Sequence, residues 1–456
     1  MLAAVLAIAG FACVAIGVRS DPAPADAPAR RVAARSISTP LLSARRVPAL
    51  FVDAVAADRL QKQLGTILAP VDACVVVDNR STPLVRINPD RPLAAASTQK
   101  LLVAAAALSV LKPTYQFATR AISVGDVQGN ELIGDLVIVG GGDPVLTTAT
   151  NPGPASTRLS DLADAIAAAG ITRINGALVA DDNRYDGQRS IADWTPGEIA
   201  EGDAGALGAL IVNGGYHDGA PATDPALDTV QQLGDLLSAR NVEISGGVRH
   251  DGAGPPKDAH EIAHIDSPPL STIVEEMLTD SNNETAELLT RELGYARSGT
   301  GTTASATLAV KVALAHLGVP TTAVDLHDGS GLAPTDRVTC AALLRVVELS
   351  AHAPLTAIDH GLPVAGRTGT LTFRFTGTTL VGRLRAKTGH IDGVVGLSGL
   401  IDATRGSTVA PRFAFIASGT FSTDEGAQLQ DEIGAAIGAY PDAPTPAELV
   451  PAPSTG

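Results

Sequence analysis

The chain has 456 residues, of which 45% are hydrophobic and 18% are charged, so it can bury a large core and form more than one folding unit. Its formal charge of −15, with no basic cluster in the sequence, argues against nucleic acid as a partner, because phosphate binding needs a clustered basic surface. Aromatic residues make up only 3%, so aliphatic side chains supply most of the core.

The N-terminal segment, residues 1–18, is apolar and is followed by a Pro/Ala-rich linker over 19–50. This pattern predicts either a cleaved signal peptide or a retained membrane anchor, because 18 residues is close to the minimum length for spanning a bilayer. We therefore expect an exported, periplasmic or extracytoplasmic protein. The three cysteines are too few for a disulfide framework, and the sequence leaves open whether Cys74 and Cys340 are bridged.

The first predicted elements of a folded domain are a hairpin and a helix. Residues 73–78 and 82–87 predict the two strands of the hairpin, and 97–111 predict the helix, which ends at a Lys-Pro pair. From 117 to 253 the sequence changes to short strands and turns, with one predicted helix at 159–169. We interpret this segment as a β-rich inserted module.

The predicted elements beyond the insert are helices followed by strands. The predicted helices are 270–278, 284–293, 307–317 and 427–437, and the predicted strands are 383–388, 394–401 and 413–418. Strands at both ends with helices between them predict an α/β catalytic domain in two parts, 51–116 and 254–440, which the insert separates. We expect the Pro/Ala-rich tail, 441–456, to be disordered.

Ser97 and Lys100 form a Ser-x-x-Lys motif at the start of a predicted helix. One helical turn places the two side chains together, and the helix N-terminus offers free backbone N–H groups. If burial or a second cation lowers the pKa of Lys100, its amine can take the proton of Ser97 and activate the hydroxyl. Alone, the motif is more typical of a capping serine and a solvated lysine, and Ser109 and Lys112 repeat it.

Ser281 and Asn283 form a Ser-x-Asn motif in the loop between two predicted helices. In an extended loop, residues at i and i+2 point the same way, which would offer a hydroxyl for proton relay and an amide for substrate binding. The same residues equally favour a helix N-cap ahead of Glu284. This motif alone therefore leaves both interpretations open.

Lys387, Thr388 and Gly389 lie at the end of a predicted strand. A strand edge can bind an extended peptide, glycine permits a close approach, and the lysine and threonine side chains can bind a carboxylate. We also expect the charge of Lys387 to lower the pKa of Lys100. An ordinary hairpin end is the alternative, and residues 367–369 are a near-copy of the motif.

Taken in order, Ser-x-x-Lys, Ser-x-Asn and Lys-Thr-Gly are typical of β-lactamases and penicillin-binding proteins. Three further stretches resemble the class C low-molecular-mass penicillin-binding proteins: 140–144 (GGGDP), 328–332 (DGSGL) and 369–374 (GTLTFR). The likeness covers about 71–436 and includes the insert. It implies a penicillin-binding/serine β-lactamase-like transpeptidase domain, an antiparallel sheet flanked by helices, with the β-rich insert between the first and second motifs.

The resemblance implies a serine D-Ala-D-Ala carboxypeptidase or endopeptidase that acts on peptidoglycan stem peptides, is acylated by β-lactams and needs no metal or cofactor. Ser97 would be acylated with Lys100 as its base, Ser281 would relay a proton to the leaving amine, and Asn283 would hold the substrate amide. The implied site comprises the catalytic residues Ser97, Lys100, Ser281, Asn283 and Lys387 and the substrate-binding residues Thr388, Gly389, His390 and Asp181.

In the same family pattern, Lys387 and Thr388 bind the terminal carboxylate of the substrate. The backbone N–H groups of Ser97 and His390 form the oxyanion hole, although a histidine departs from the usual Ser or Thr. In the insert, Asp181 is implied to bind a free side-chain amine of the stem peptide, with a solvated turn carboxylate as the alternative. Arg337 lies in a stretch where this sequence departs from the family pattern, and its side chain could contribute to the same recognition.

Other functions remain as alternatives. His260 and His264 complete a His-Glu-x-x-His sequence, which on a helix would indicate a zinc metallopeptidase. Proline-rich segments flank it closely, which favours a short strand or loop. A serine β-lactamase would also need a carboxylate that positions a water for deacylation, and no Glu lies in a matching context. A non-catalytic peptidoglycan-binding protein is disfavoured because Ser97 and Lys100 are both intact.

Overall fold

The computed structural model describes residues 47–197, 202–251, 254–257, 259–405 and 407–442. The expected signal or anchor at 1–18, and nearly all of the expected linker and tail, lie outside the described residues. The chain divides into two compact units, Met1–Leu50 and Phe51–Gly456, and the second contains all the predicted motifs. In the described part of the chain, no helix is both long enough and apolar enough to cross a bilayer.

The described chain contains both helices and strands. The helices are α1 Val47–Leu68, α2 Lys100–Val110, α3 Leu159–Ala168, α4 Pro225–Ser238, α5 Leu270–Asp280, α6 Asn283–Ser298, α7 Thr303–His316, α8 Cys340–Leu349, α9 Thr356–Gly361 and α10 Thr423–Gly438. The strands are β1 Asp72–Asn79, β2 Thr82–Ile87, β3 Ala118–Gln128, β4 Glu131–Val139, β5 Leu146–Thr147, β6 Thr157–Arg158, β7 Arg173–Ile174, β8 Leu178–Asp181, β9 Tyr216–His217, β10 Ala220–Pro221, β11 Glu243–Ile244, β12 Val248–His250, β13 His260–Asp266, β14 Leu384–Ile391, β15 Val394–Ile401 and β16 Pro411–Ser418.

The catalytic domain is built on a five-stranded antiparallel sheet in the order β14-β15-β16-β1-β2. Successive residues of β1 face opposite sides of this sheet. Cys74 and Val76 pack in the core that contains α2, whereas Val75 and Val77 pack in the core that contains α1 and α10. The predicted α/β domain, an antiparallel sheet flanked by helices, is thereby confirmed.

Helix α2 is the central helix of this domain, and a short 3-10 turn, Ala96–Gln99, leads into it. Its residues are buried from Lys100 to Leu108, because leucine, valine and alanine fill every position after the lysine. A helix that is apolar on all sides belongs in a protein interior rather than on a surface. The sequence therefore places Lys100 at the first turn of a buried helix.

The insert has a sheet of its own, in the order β11-β7-β4-β3-β13, in which β8 also pairs with β4 and β12 pairs with β8. It differs from the sequence prediction in two respects. Strand β13 pairs with β3, Asp266 opposite Ala118, so the insert sheet extends beyond the expected limit at 253. The insert also contains a second helix, α4, which Asp224 caps at the Leu227 N–H. Within the described residues, the insert is therefore a β-rich module with two α-helices, where the sequence predicted one.

A disulfide joins Cys74 in β1 to Cys340 at the first position of α8, so the bridge that the sequence left open is formed. Both cysteines are fully buried. The bond ties the central sheet to a helix that is 266 residues further along the chain. The bond therefore joins the part of the catalytic domain that precedes the insert to the part that follows it.

Candidate active site

Ser97 lies in the 3-10 turn that precedes α2, and its hydroxyl accepts a hydrogen bond from Lys100 Nζ at 2.7 Å. The residue before it, Ala96, has a φ of 46°, which is the left-handed region that alanine rarely adopts. Gly331 lies against the same turn, since a Cβ at that position would come within 2.1 Å of Ala96 O. The nucleophile candidate is thus held on a tight, strained turn that neighbouring backbone supports.

The amine of Lys100 is fully buried and has three hydrogen-bond acceptors. It donates to Ser97 Oγ at 2.7 Å, Asn283 Oδ1 at 2.5 Å and the Ser330 carbonyl at 2.9 Å. Because the last two groups can only accept from it, a neutral amine keeps its two N–H bonds on them and turns its lone pair towards Ser97. The site is therefore arranged for Lys100 to take the serine proton.

The second motif is a helix junction rather than the extended loop that the sequence analysis considered. Ser281 has a φ of 63° and closes α5, and Asn282 caps α6 by accepting from the Thr285 N–H. Asn283 is the first residue of α6, and its Nδ2 donates to the Asp203 carbonyl at 2.6 Å, which turns Oδ1 towards Lys100. The tight turn, not strand alternation, brings the serine and the asparagine into one site.

The third motif lies on β14, with Lys387 fully buried. Lys387 Nζ donates to Ser281 Oγ at 2.8 Å and to the Thr388 carbonyl at 2.9 Å. Thr388 Oγ1 donates to Thr370 Oγ1 at 2.8 Å, so the 369–374 stretch that resembled the family borders the site. A Cβ on Gly389 would come within 2.7 Å of a backbone oxygen in the serine turn. The structure thus brings the three motifs together.

Strand β14 is the edge of the catalytic sheet. The Leu384 carbonyl and the Ala386 N–H bond outward, to residues 363–365. Since backbone groups alternate along an antiparallel strand, the N–H and C=O of Thr388 and His390 also point away from β15, where a peptide could pair. The imidazole of His390 lies at the start of α10, with Nε2 3.2 Å from Thr423 Oγ1.

Burial is the largest cause of the lysine pKa shifts. It lowers the pKa of Lys100 to about 8, although buried carboxylates led by Asp328 and Glu287 act in the opposite direction. Burial, with the charge of Lys100, lowers the pKa of Lys387 well below its usual range. We expected the charge of Lys387 to lower the pKa of Lys100. In the structure, the charge of Lys100 instead lowers the pKa of Lys387. Burial and the neighbouring charge of Lys100 thus both disfavour the protonated form of Lys387.

Two buried carboxylates lie behind Lys100: Asp328, which begins the 328–332 stretch, and Glu287, which no sequence motif indicated. Asp328 accepts from the Gly331 and Ala333 N–H groups, both at 2.7 Å, and Glu287 Oε1 accepts from the Ser330 N–H at 2.7 Å. Burial raises the pKa of Glu287 to about 8. Together these groups hold the Ser330 carbonyl against Lys100. Glu287 lies one helical turn after Asn283, an i,i+4 relation that the sequence displays.

The insert contributes directly to the walls of the site. Asp203 supplies the carbonyl that orients Asn283, and Trp194 donates its indole N–H to Asp328 Oδ2 at 2.9 Å. Gly205 N donates to Glu284 Oε1 at 2.8 Å. The insert therefore borders the catalytic groups with backbone and indole contacts, which no sequence motif indicated.

Asp181, the candidate for binding a substrate amine, ends strand β8 in the insert. It is only 5% exposed, and its Oδ1 accepts from the Asn183 N–H at 3.1 Å. Burial raises the pKa of its carboxyl group above the usual value. Arg337 donates from Nη1 to the carbonyls of Pro334 and Asp336, so its guanidinium bonds to its own loop. The recognition roles of both residues stay predictions.

The His-Glu-x-x-His sequence lies on strand β13 and not on a helix. His264 Nδ1 bonds to Glu261 Oε1 at 2.7 Å, which occupies the carboxylate that a metallopeptidase would use as its base. On a strand, His260 and His264 lack the one-turn spacing that lets two histidines bind a single zinc ion. The geometry therefore favours the strand interpretation of this sequence.

Similarity to known proteins agrees with this geometry. The model of the D-Ala-D-Ala carboxypeptidase 3 (S13) family matches residues 52–221 and 219–438. The chain belongs to this family. A carboxypeptidase of Mycobacterium tuberculosis is 30% identical over 72% of each chain, and a D-alanyl-D-alanine carboxypeptidase of an Actinomadura species is 28% identical over 85% of each.

Solved structures share the fold of this chain. Penicillin-binding protein 4 of Haemophilus influenzae superposes with a TM-score of 0.71 at 22% identity, covering 84% of this chain and 99% of that one. A predatory peptidoglycan endopeptidase of Bdellovibrio bacteriovorus gives a TM-score of 0.52 at 18% identity, covering 84% and 96%. The class C low-molecular-mass penicillin-binding protein resemblance is confirmed, and the serine carboxypeptidase interpretation is favoured over the β-lactamase and zinc alternatives.

Proposed function

We propose that this enzyme cleaves the terminal D-Ala from peptidoglycan stem peptides through an acyl-enzyme on Ser97. The contact that supports this most directly is the 2.7 Å hydrogen bond between Ser97 Oγ and Lys100 Nζ. The amine is already held by Asn283 and Ser330, so no reorganisation is needed before it accepts the serine proton. The S13 family membership supports the same chemistry.

In the acylation step, Ser97 Oγ bonds to the carbonyl carbon of the scissile peptide while its proton passes to Lys100. The negative charge that develops on the carbonyl oxygen is stabilised by the backbone N–H groups of Ser97 and His390. The outward direction of the His390 N–H at the edge of β14, and the close approach of Gly389 to the serine turn, support this oxyanion hole. Substrate would then lie along β14 as an added strand.

The departing D-Ala amine must gain a proton as the C–N bond breaks. Ser281 is suited to supply it because its hydroxyl lies 2.8 Å from Lys387 Nζ, which can replace the lost proton. Lys387 with Thr388, and the neighbouring Thr370 hydroxyl, would bind the terminal carboxylate. The proton that Lys100 took from Ser97 then passes to Lys387, which leaves Lys100 neutral. Lys100 can again act as the base for the water that hydrolyses the ester, and the proton it takes from that water goes to the departing Ser97 oxygen. This restores the free enzyme.

We further propose that the enzyme acts outside the cytoplasmic membrane, where its peptidoglycan substrate lies. The disulfide between Cys74 and Cys340 supports this, because such bonds persist mainly in oxidising compartments. Penicillin and related β-lactams would acylate Ser97 as analogues of the D-Ala-D-Ala terminus. Asp181 stays a candidate for recognising the side-chain amine of the stem peptide.

The test is hydrolysis of a tripeptide that ends in D-Ala-D-Ala, followed by measurement of free D-Ala. We expect release by the parent enzyme and none by Ser97→Ala, and we expect the matched peptide ending in D-Ala-L-Ala to be inert. Release that persists in a correctly folded Ser97→Ala variant would overturn the proposed nucleophile. A cross-linked disaccharide peptide offered in parallel measures the endopeptidase activity of the same site.

A further inference from the structure

Gln430 of α10 is a fully enclosed polar residue in the apolar core on the far side of the sheet from Ser97. Its side chain is 3% exposed, and Nε2 donates to two strand carbonyls, Gly389 O at 2.9 Å and Gly396 O at 2.8 Å. Gly389 and Gly396 are partners in the β14–β15 ladder. A buried amide at such a place requires a reason, because it costs free energy unless its polar atoms are paired.

The direction of the Gln430 amide is fixed by Arg374. Arg374 Nη1 donates to Gln430 Oε1 at 3.2 Å, and a guanidinium has no acceptor, so Oε1 must face it. Arg374 is itself fixed by Asp431, at 2.6 Å from Nη2 to Oδ1, and by the Ala427 carbonyl at 2.6 Å. The NH2 group of Gln430 therefore has only one orientation, towards the two carbonyls of the sheet.

The carbonyl of Gly389 belongs to the same peptide plane as the N–H of His390. In a trans peptide these two groups point in opposite directions, so a carbonyl directed at β15 and Gln430 directs the His390 N–H out of the sheet edge. On the opposite face the plane meets the serine turn, where a Cβ on Gly389 would lie 2.7 Å from Ala95 O. The peptide is thus clamped between Gln430 and the turn that carries Ser97.

We propose that Gln430 is a positioning residue, which orients and polarises the Gly389–His390 peptide so that its N–H serves the oxyanion hole. This inference rests on the proposed acylation of Ser97. A carbonyl that accepts both a ladder N–H and the Gln430 NH2 draws electron density away from its own N–H, which makes that N–H a better donor. Gln430 acts only through this peptide and does not touch the substrate.

The experiment measures β-lactam acylation of the full chain by stopped flow, separating the dissociation constant of the first complex from the acylation rate constant. In Gln430→Met, which keeps the volume but has no donor, we expect the rate constant to fall about ten- to a hundredfold. This is smaller than the roughly hundred- to thousandfold loss for a removed oxyanion donor, because the His390 N–H is weakened rather than removed. The dissociation constant should change by less than about threefold, because ground-state binding does not use the developing charge.

Gln430→Glu is the second variant, since it keeps the shape and the bond to Arg374 but turns a carboxylate oxygen towards the two carbonyls. We expect the acylation rate constant to fall at least as much as in Gln430→Met. If Gln430→Met does not fold, Gln430→Glu alone tests the inference. The matched control is Gln428→Met on the exposed face of α10, which loses only a bond to Glu432 and should acylate normally.

A transition-state readout separates positioning from general destabilisation. A peptide boronic acid forms a tetrahedral adduct on serine, with an oxygen in the oxyanion hole, so its affinity should fall in both Gln430 variants by the same factor as the rate constant. Equal acylation by parent and folded variants would overturn the inference, as would equal losses in first-complex binding and in rate. Failure of the proposed function looks different, because the parent itself would not be acylated.

Discussion

Trp194 of the insert donates its indole N–H to Asp328 Oδ2 of the catalytic domain at 2.9 Å, and both side chains are buried. Asp328 holds the loop whose Ser330 carbonyl accepts from Lys100. This hydrogen bond is therefore one link between the insert and the environment of the proposed base, two steps away.

Trp194→Phe should weaken both the fold and the site. Losing a hydrogen bond to a buried carboxylate costs about 1.5 to 3 kcal/mol, and loosening the loop should slow acylation several-fold. Urea unfolding followed by circular dichroism measures the first effect and β-lactam trapping measures the second. Thr335→Val is the matched control, because it removes an exposed bond to Asp193 between the same two segments and should leave both quantities near the parent values.

Acylation should accelerate as the pH rises towards the pKa of Lys100. The amine must be unprotonated to accept the Ser97 proton, and burial places its pKa at about 8. The rate constant should therefore rise about tenfold per pH unit well below that value and level off above it. A β-lactam whose own ionisation lies outside this window gives a clean profile. A flat profile between about pH 6 and 9, with an unchanged circular dichroism spectrum, would exclude Lys100 as the base.

Asp181→Asn tests the role of the insert in substrate choice. The asparagine keeps an oxygen for the Asn183 N–H but removes the charge. If Asp181 binds a substrate amine, kcat/KM for stem peptides with a free side-chain amine should fall by roughly one to two powers of ten, while acylation by β-lactams stays unchanged. The same peptide with an acetylated amine is the control. Equal losses for both peptides would instead show a structural role.

The disulfide should contribute strongly to stability. Cross-linking residues 266 positions apart restricts the unfolded chain, which gives a stabilisation of about 5.6 kcal/mol in the chain-entropy description. The Cys74→Ala/Cys340→Ala double variant should unfold at a markedly lower temperature, as measured by scanning calorimetry. Thiol titration of the denatured parent should find one free thiol per full-length chain, from Cys13, and three after reduction. Three thiols without reduction would contradict the bridge.

The sequence predicted the elements that carry strong local signals. The apolar run after Ser97 predicted the helix that forms there, and the strands predicted at 73–78 and 394–401 lie where they were expected. Helix α4 was missed although Asp224 and Pro225 are a typical start, because the surrounding short strands dominated the interpretation of the insert. Strand β13 shows that pairing partners far apart in sequence set where a module ends.

The site was only partly predictable for a related reason. Motif order indicated which lysines and serines to examine, but the two acceptors that direct the Lys100 lone pair come from distant segments. The helix prediction covered Gln430, yet no pattern within one helix shows which strand carbonyls a buried amide will meet. Tertiary contacts of this kind depend on packing between elements, which periodicity and spacing do not encode.

The proposed nucleophile is tested most directly by mapping the site of penicillin attachment. The full chain is incubated with a fluorescent penicillin, digested, and the labelled peptide is sequenced by mass spectrometry. We expect a single adduct, on Ser97, and none in Ser97→Ala, while Ser109→Ala, which alters the Ser-x-x-Lys copy at the other end of the same helix, keeps full labelling. A label on any other residue, or labelling that survives in Ser97→Ala, would contradict an acyl-enzyme at Ser97.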